Sequence, residues 1–331
     1  MLKNLVQGFL WKLGYQLRKV TAKTEWDGRL TAADAEYLKR DNPLLVSLRQ
    51  RYAASGLPVV TPSTWWNQSR LQENIKFAHF RGDNAYIYAY RELDEQTTRM
   101  RFLLFARYIA ERDPRGLLRL LEEDGSFGCW SYQFDGLPRV SRDLLDSINE
   151  IYFLDRHFKI FERPSTRILD IGAGYGRLAY RMLNAVPSVS HYYCTDAIPD
   201  STFFCGFYLN HRKLNDKASV VPLDEFNDRL KPGMLDLAVN IHSFSECTLA
   251  AITWWLEQLV RLEVPYFMLV PNEPDDLLSR ETDDSRKDFR PIMERLGFVQ
   301  VADELIYQDS AIVEFMKTND RMLLFRGPAA K

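Results

Sequence analysis

The chain has 331 residues, of which 46% are hydrophobic and 27% charged, with a formal net charge of -2. This is ordinary composition for a folded globular protein, long enough for two modest domains or for one with a large extension. Three classes are disfavoured at once. A near-zero charge argues against a general nucleic-acid binder, and no apolar run approaches the ~20 residues needed to cross a bilayer. Cys129, Cys194, Cys205 and Cys247 show neither C-x-x-C nor finger spacing, so they read as free buried thiols in a reducing cytoplasm.

In residues 1–22, Leu2, Leu5, Val6, Phe9, Leu10, Leu13 and Leu17 fall on one helical stripe, with Lys3, Lys12, Arg18 and Lys19 elsewhere around it. Two readings fit: an interfacial helix on the inner membrane face, or a helix docked on the rest of the chain or on a second subunit. Residues 23–163 read as helices joined by turns, clearest at 102–111 and 141–161, with Ser141 as an N-cap. Within them, Phe80 to Tyr86 and the stretches at 122–128 and 140–147 are dense in polar groups. They are either turns and a capped helix with exposed charges, or a polar pocket floor. In the second reading Arg81, Asp83, Asn84 and Arg142 bind an acceptor, while Tyr86 or Trp130 stacks on it.

Residues 164–331 alternate strands and helices as an open, largely parallel α/β sheet does. Strands are expected at 167–171, 191–195, 218–222, 235–241 and 266–270, with a closing antiparallel pair at 298–306 and 321–325. Helices fit at 177–186, 200–215, 247–262 and 284–296. The first strand runs into Asp170-Ile-Gly172-Ala-Gly174-Tyr-Gly176-Arg177. Glycine permits left-handed backbone angles and a close approach that a Cβ would block. A dinucleotide turn wants G-x-G-x-x-G, and Arg177 stands where its third glycine belongs.

An acidic residue leading G-x-G-x-G resembles motif I of class I S-adenosylmethionine (SAM)-dependent methyltransferases, whose seven-stranded Rossmann-like layout the strand order also matches. The resemblance implies that Asp170, Gly172, Gly174 and Gly176 hold the methionine part of SAM, Asp170 through a hydrogen bond or a water. Asp196 ends the second strand about twenty positions after Gly176, where a carboxylate can accept from both ribose hydroxyls. Asp224, after the third strand, is either an adenine contact or part of a solvated acidic turn.

The fourth strand ends in Asn240 to Glu246, the edge that faces the transferring methyl in such enzymes. His242 is the one histidine at a strand's carboxyl end, suited by its ordinary pKa to remove a hydroxyl proton. Glu246, four residues on, could fix its tautomer; the alternative is a pair that caps the next helix. Asn272 and Glu273, after the fifth strand, could bind acceptor hydroxyls, with Glu273 as a substitute base. No metal is expected. Phe80–Tyr86, residues 123–128, 140–154 and 240–246 together resemble a bacterial family of sugar O-methyltransferases, over about residues 65–325. That resemblance implies a free, nucleotide-linked or lipid-linked sugar as acceptor and a place in surface-polysaccharide assembly. The rival expectations are an NAD-dependent nucleotide-sugar oxidoreductase or epimerase, and a non-catalytic SAM- or sugar-binding scaffold. Further expectations are a cytoplasmic enzyme, without nucleic acid as partner, touching the membrane through residues 1–20, and a homo-oligomer.

Overall fold

The computed structural model describes residues 30–60, 66, 76–82, 94–272, 277–316 and 318–330. The N-terminal stripe at 1–22 therefore lies outside the described residues, as do Asp83, Asn84, Tyr86 and Glu273. Seven strands form the main sheet: β1 (Thr166–Ile171), β2 (Val189–Thr195), β3 (Ala218–Val220), β4 (Leu237–Ile241), β5 (Tyr266–Val270), β6 (Val299–Leu305) and β7 (Arg321–Arg326). They lie in the order β3-β2-β1-β4-β5-β7-β6, with β1 to β5 parallel and β7 antiparallel to both neighbours. Apolar residues fill β4 and β5 almost throughout and the middle of β1, because both faces of these central strands are covered.

Along β1, side chains alternate between two cores. Ile168 enters one with Val239, Met268 and Leu324; Leu169 and Ile171 enter the other with Phe267 and Trp255. Among the described residues, the helices of nine or more residues are α1 (Pro43–Ala54), α2 (Glu95–Glu111), α3 (Arg142–Phe158), α4 (Arg177–Ala185), α5 (Pro199–His211) and α6 (Leu249–Arg261). Phe102 and Phe105 of α2, and Leu144, Ile148 and Phe153 of α3, share the first core with the sheet and with Leu178 and Met182 of α4. The helical half is thus packed directly onto the sheet.

Most expected elements stand where periodicity put them. Ser141 caps α3, accepting from the Leu144 amide at 3.1 Å. Helix α2 begins seven residues earlier than the apolar stripe suggested, because Asp94 accepts from the Thr97 amide at 2.9 Å and starts it. The helix expected at 284–296 shrinks to Arg290–Arg295; the stretch before it makes a short antiparallel bridge, Leu278 to Asp288. A seven-residue helix, Ser310–Met316, sits between the last two strands, where none was expected. No helix among the described residues is long and apolar enough to cross a membrane.

Candidate cofactor cleft

From β1 the chain runs outward through β2 and β3, then returns to the other side of β1 as β4. The strand ends diverge at that reversal, leaving a crevice at the carboxyl ends of β1 and β4. The glycine loop fills its floor. Gly172, Gly174 and Gly176 all have positive φ (75°, 57° and 87°). A Cβ on Gly172 would fall 2.2 Å from the Ser243 hydroxyl oxygen, so the close approach there is between the loop and the turn after β4. Asn240 holds that turn, donating to the Ile171 carbonyl at 2.8 Å and accepting from the Phe244 amide at 3.1 Å.

Four of the loop's backbone donors are already engaged. The amides of Gly172 and Ala173 donate to the Thr195 carbonyl at 2.9 and 3.1 Å, and that of Gly176 to Ala173 at 2.9 Å. The Gly174 amide donates to the Asp196 carboxylate at 3.0 Å. A phosphate needs free amides and no carboxylate beside it. This loop offers the reverse, which fits an uncharged or cationic group and disfavours a pyrophosphate.

Asp196 also accepts from the Ile198 amide at 2.8 Å, and burial pushes its carboxyl up to about 7 against those bonds. Asp170 behaves differently from expectation. Strand alternation turns it away from the second core, and its carboxylate accepts from the Tyr192 hydroxyl at 3.0 Å. Burial raises it to about 7 as well. It underpins the loop from below and does not line the cavity above it.

That cavity has a volume of about 570 Å³ and is lined by Gly172, Asp196, Ser243 and Glu246 from the sheet side, with Tyr52 and Trp66 from the helical half. Glu246 accepts from the Trp66 indole N–H at 2.7 Å and from the Asn272 side-chain amide at 3.3 Å. His242 is not among the cavity's lining residues. Its Nδ1 is buried without a hydrogen-bond partner, and its ring bonds the Asn272 side chain. Burial, with the arginines 142 and 177 nearby, drives the imidazole down to about 3. The direct His242–Glu246 pair expected from four-residue spacing is thus corrected: Glu246 accepts from Trp66 and Asn272, and His242 bonds Asn272 instead of Glu246.

Other expected site residues lie elsewhere. Arg81 is buried and bonded to Glu123 at 3.0 Å and Asp143 at 2.9 Å, beside Arg181, which holds the same two acids at 2.7 and 3.1 Å. It knits the helical half to α4 and does not floor a pocket. Glu123, Cys129 and Asp143 come together closely enough for a metal, yet these two guanidiniums already fill the cation's place. Arg142 pairs with Asp146 at 3.1 Å. Asp224 meets Arg51 at 3.2 Å on the outer side of the cleft. Asp200, at the start of α5, binds Arg49 at 2.6 Å, and Pro199 opens that helix without a side-chain cap.

No family model matches the sequence, and no curated protein matches it. Solved structures do resemble it in fold. The [4+2]-cyclase SpnF is similar at 14% identity over 60% of this chain and 87% of its own, with a TM-score of 0.42. A SAM-dependent methyltransferase from Aquifex aeolicus is similar at 16% identity over 54% and 96%, with a TM-score of 0.36. The m1A22 tRNA methyltransferase TrmK of B. subtilis follows at 14%, over 52% and 65%, with a TM-score of 0.36. By its own strand order this is a seven-stranded Rossmann-like α/β fold. Likeness at this level concerns architecture, and the same architecture serves a cyclase as well as methyltransferases.

One expectation is corrected here. Net charge was used to exclude nucleic acid, and the family resemblance to supply a sugar acceptor. The exclusion of nucleic acid is withdrawn: a net charge of -2 says nothing about where the charges lie, and the solved structures similar to this chain include a tRNA methyltransferase. Neither the exclusion nor the sugar is retained.

Proposed function

We propose that the chain is a SAM-dependent methyltransferase. The observation that carries this reading is the glycine loop itself: the amides of Gly172, Ala173 and Gly176 are bound to backbone carbonyls, and a carboxylate sits on the amide of Gly174. Such a loop suits a cofactor without phosphate and with positive charge. When bound, SAM supplies an electrophilic methyl group on a sulfonium; the chain's residues do the rest. Asp196 receives ribose hydroxyls, and Gly172 allows the close approach to the turn after β4. Trp66 excludes water from the cavity mouth. Glu246, on the cavity wall and held by Trp66 and Asn272, takes the proton released by the acceptor. His242 has the wrong surroundings for that work, since a base driven far below neutrality has little tendency to accept a proton at pH 7.

Calorimetric titration tests the cofactor. SAM and its demethylated product S-adenosylhomocysteine (SAH) are expected to bind one to one, and NAD to give no heat. NAD binding without SAM binding overturns the proposal. Labelled methyl transfer into bulk RNA and into hydroxylated small-molecule fractions then identifies the acceptor class. Tight SAM binding with no transfer to any fraction would favour the non-catalytic scaffold.

A further inference from the structure

Helix α1 lies outside the sheet domain in sequence, yet its ties run to the loops that flank Asp196. Asn42 caps it, accepting from the Leu44 amide at 2.9 Å, and Pro43 sits in its first turn. Arg49 and Tyr52, three residues apart, share a face. The Arg49 guanidinium grips both oxygens of Asp200, at 2.6 and 3.2 Å, and Asp200 is only 2% exposed. The Tyr52 hydroxyl bonds Thr202 at 2.8 Å and accepts from the Leu223 amide at 2.9 Å. Arg51 reaches Asp224 and Glu225, each at 3.2 Å. One helix is therefore fastened to the segment after β2 and to the segment after β3.

The face so fastened also lines the cavity. Arg49, Tyr52 and Ala53 contribute to its wall, followed by Val59 and Val60 in the short turn Pro58–Val60. Ala251 and Trp255 of α6 supply further wall. The fastening is charged and partly exposed: the Arg49 and Arg51 side chains retain 37% and 38% exposure. Tyr52, in contrast, is buried, and burial lifts its hydroxyl to about 12, so it stays a neutral fixed pivot at working pH.

We infer that α1 is a clasp for the cofactor: the Arg49–Asp200 and Arg51–Asp224/Glu225 pairs hold the outer wall of the cavity in which SAM sits, and their opening governs its release. This rests on the SAM reading above. The duty of the helical half then includes retention of the cofactor, in addition to any role toward the acceptor. Salt bears on it, because added ions weaken the attraction within solvent-exposed ion pairs.

The test is SAH dissociation followed by stopped-flow tryptophan fluorescence, with Trp66 and Trp255 in the cavity wall as reporters. The Arg49→Ala/Arg51→Ala double variant of the full chain is expected to release SAH about tenfold faster, and Arg49→Lys to recover part of the wild-type rate. Wild-type release should quicken with added salt, while release from the double variant should respond little. Thermal midpoints of the ligand-free proteins separate a structural role, which would lower the midpoint and leave the release rate of folded protein unchanged. Unchanged release in the double variant overturns the clasp alone. A wild type that binds no SAH overturns the cofactor reading and the clasp with it.

Discussion

Two groups of buried acids in this molecule show opposite electrostatics. At the junction of the helical half with α4, Glu123 and Asp143 each face both Arg81 and Arg181, and their carboxyls are held below the usual carboxylate range by those charges. At the glycine loop, Asp170 beneath it and Asp196 in the cavity are as deeply buried with no ion pair among the described residues, and both rise to about 7. Burial is common to the two places; counter-charge is not. Acids that already own a cation are fasteners. An acid left short of one that also lines the cavity, as Asp196 does, is suited to receive hydrogen-bond donors from a ligand.

The strongest way to break this contrast is to remove a cation from the fastener. Arg181→Ala leaves Glu123 and Asp143 short of a partner inside the core, and should destabilise the protein by roughly 3–5 kcal/mol in denaturant unfolding. A loss under ~1 kcal/mol would mean that water repairs the gap and the cluster is not closed. On the cleft side, Glu246→Gln keeps shape and hydrogen-bonding capacity but not basicity. Methyl transfer should fall by roughly 10²–10⁴ while calorimetry shows SAM affinity within about twofold. An undiminished rate removes the proton-accepting role from this residue.

The acids of the cleft also set a pH dependence whose sign can be worked out. Asp196 has a folded-state pKa near 7, above its unfolded value, so its contribution favours the ligand-free fold below about pH 4 and is lost as pH rises toward 7. Asp196→Asn removes that dependence. Its thermal midpoint relative to wild type should climb between pH 4 and pH 8, at about 2–4 °C per kcal/mol. SAM affinity of the wild type should move the other way, weakening as pH falls through 7. Flat profiles in both measurements would assign the raised value to no functional group. The smallest effect belongs to His242. Its folded-state pKa lies near 3, so it costs stability as pH falls from about 6.5 toward 3, when the unfolded chain takes up the proton. His242→Asn should leave methyl transfer within a few-fold at pH 7.5 and make acid unfolding set in at lower pH.

Much of the scaffold was legible from residues alone. Apolar runs with period two and period 3.6 gave the strands and main helices, since those patterns report which faces meet a core. The glycine spacing and the acid at the end of β2 were equally local signals, and the loop and Asp196 do meet in one cavity. The start of α2 was hidden, because Asp94 caps a turn of threonines and glutamate that carries no apolar stripe. His242 and Glu246 illustrate a sharper limit. Their spacing suggested contact, but His242 takes a positive φ of 67° as it leaves β4, and each of the two side chains bonds Asn272 rather than the other.

The sequence by itself determined the order of strands and helices and the glycine turn, because backbone geometry and side-chain periodicity act over a few residues. Only the tertiary structure decided which charges met. Arg81 lies 100 positions from Arg181, and Arg49 lies 151 from Asp200. Nothing in the local pattern distinguishes an arginine bound for a buried cluster from one bound for a clasp or for solvent. Electrostatic partners are chosen by distance in space, and that distance is fixed only when the two cores have closed around the sheet.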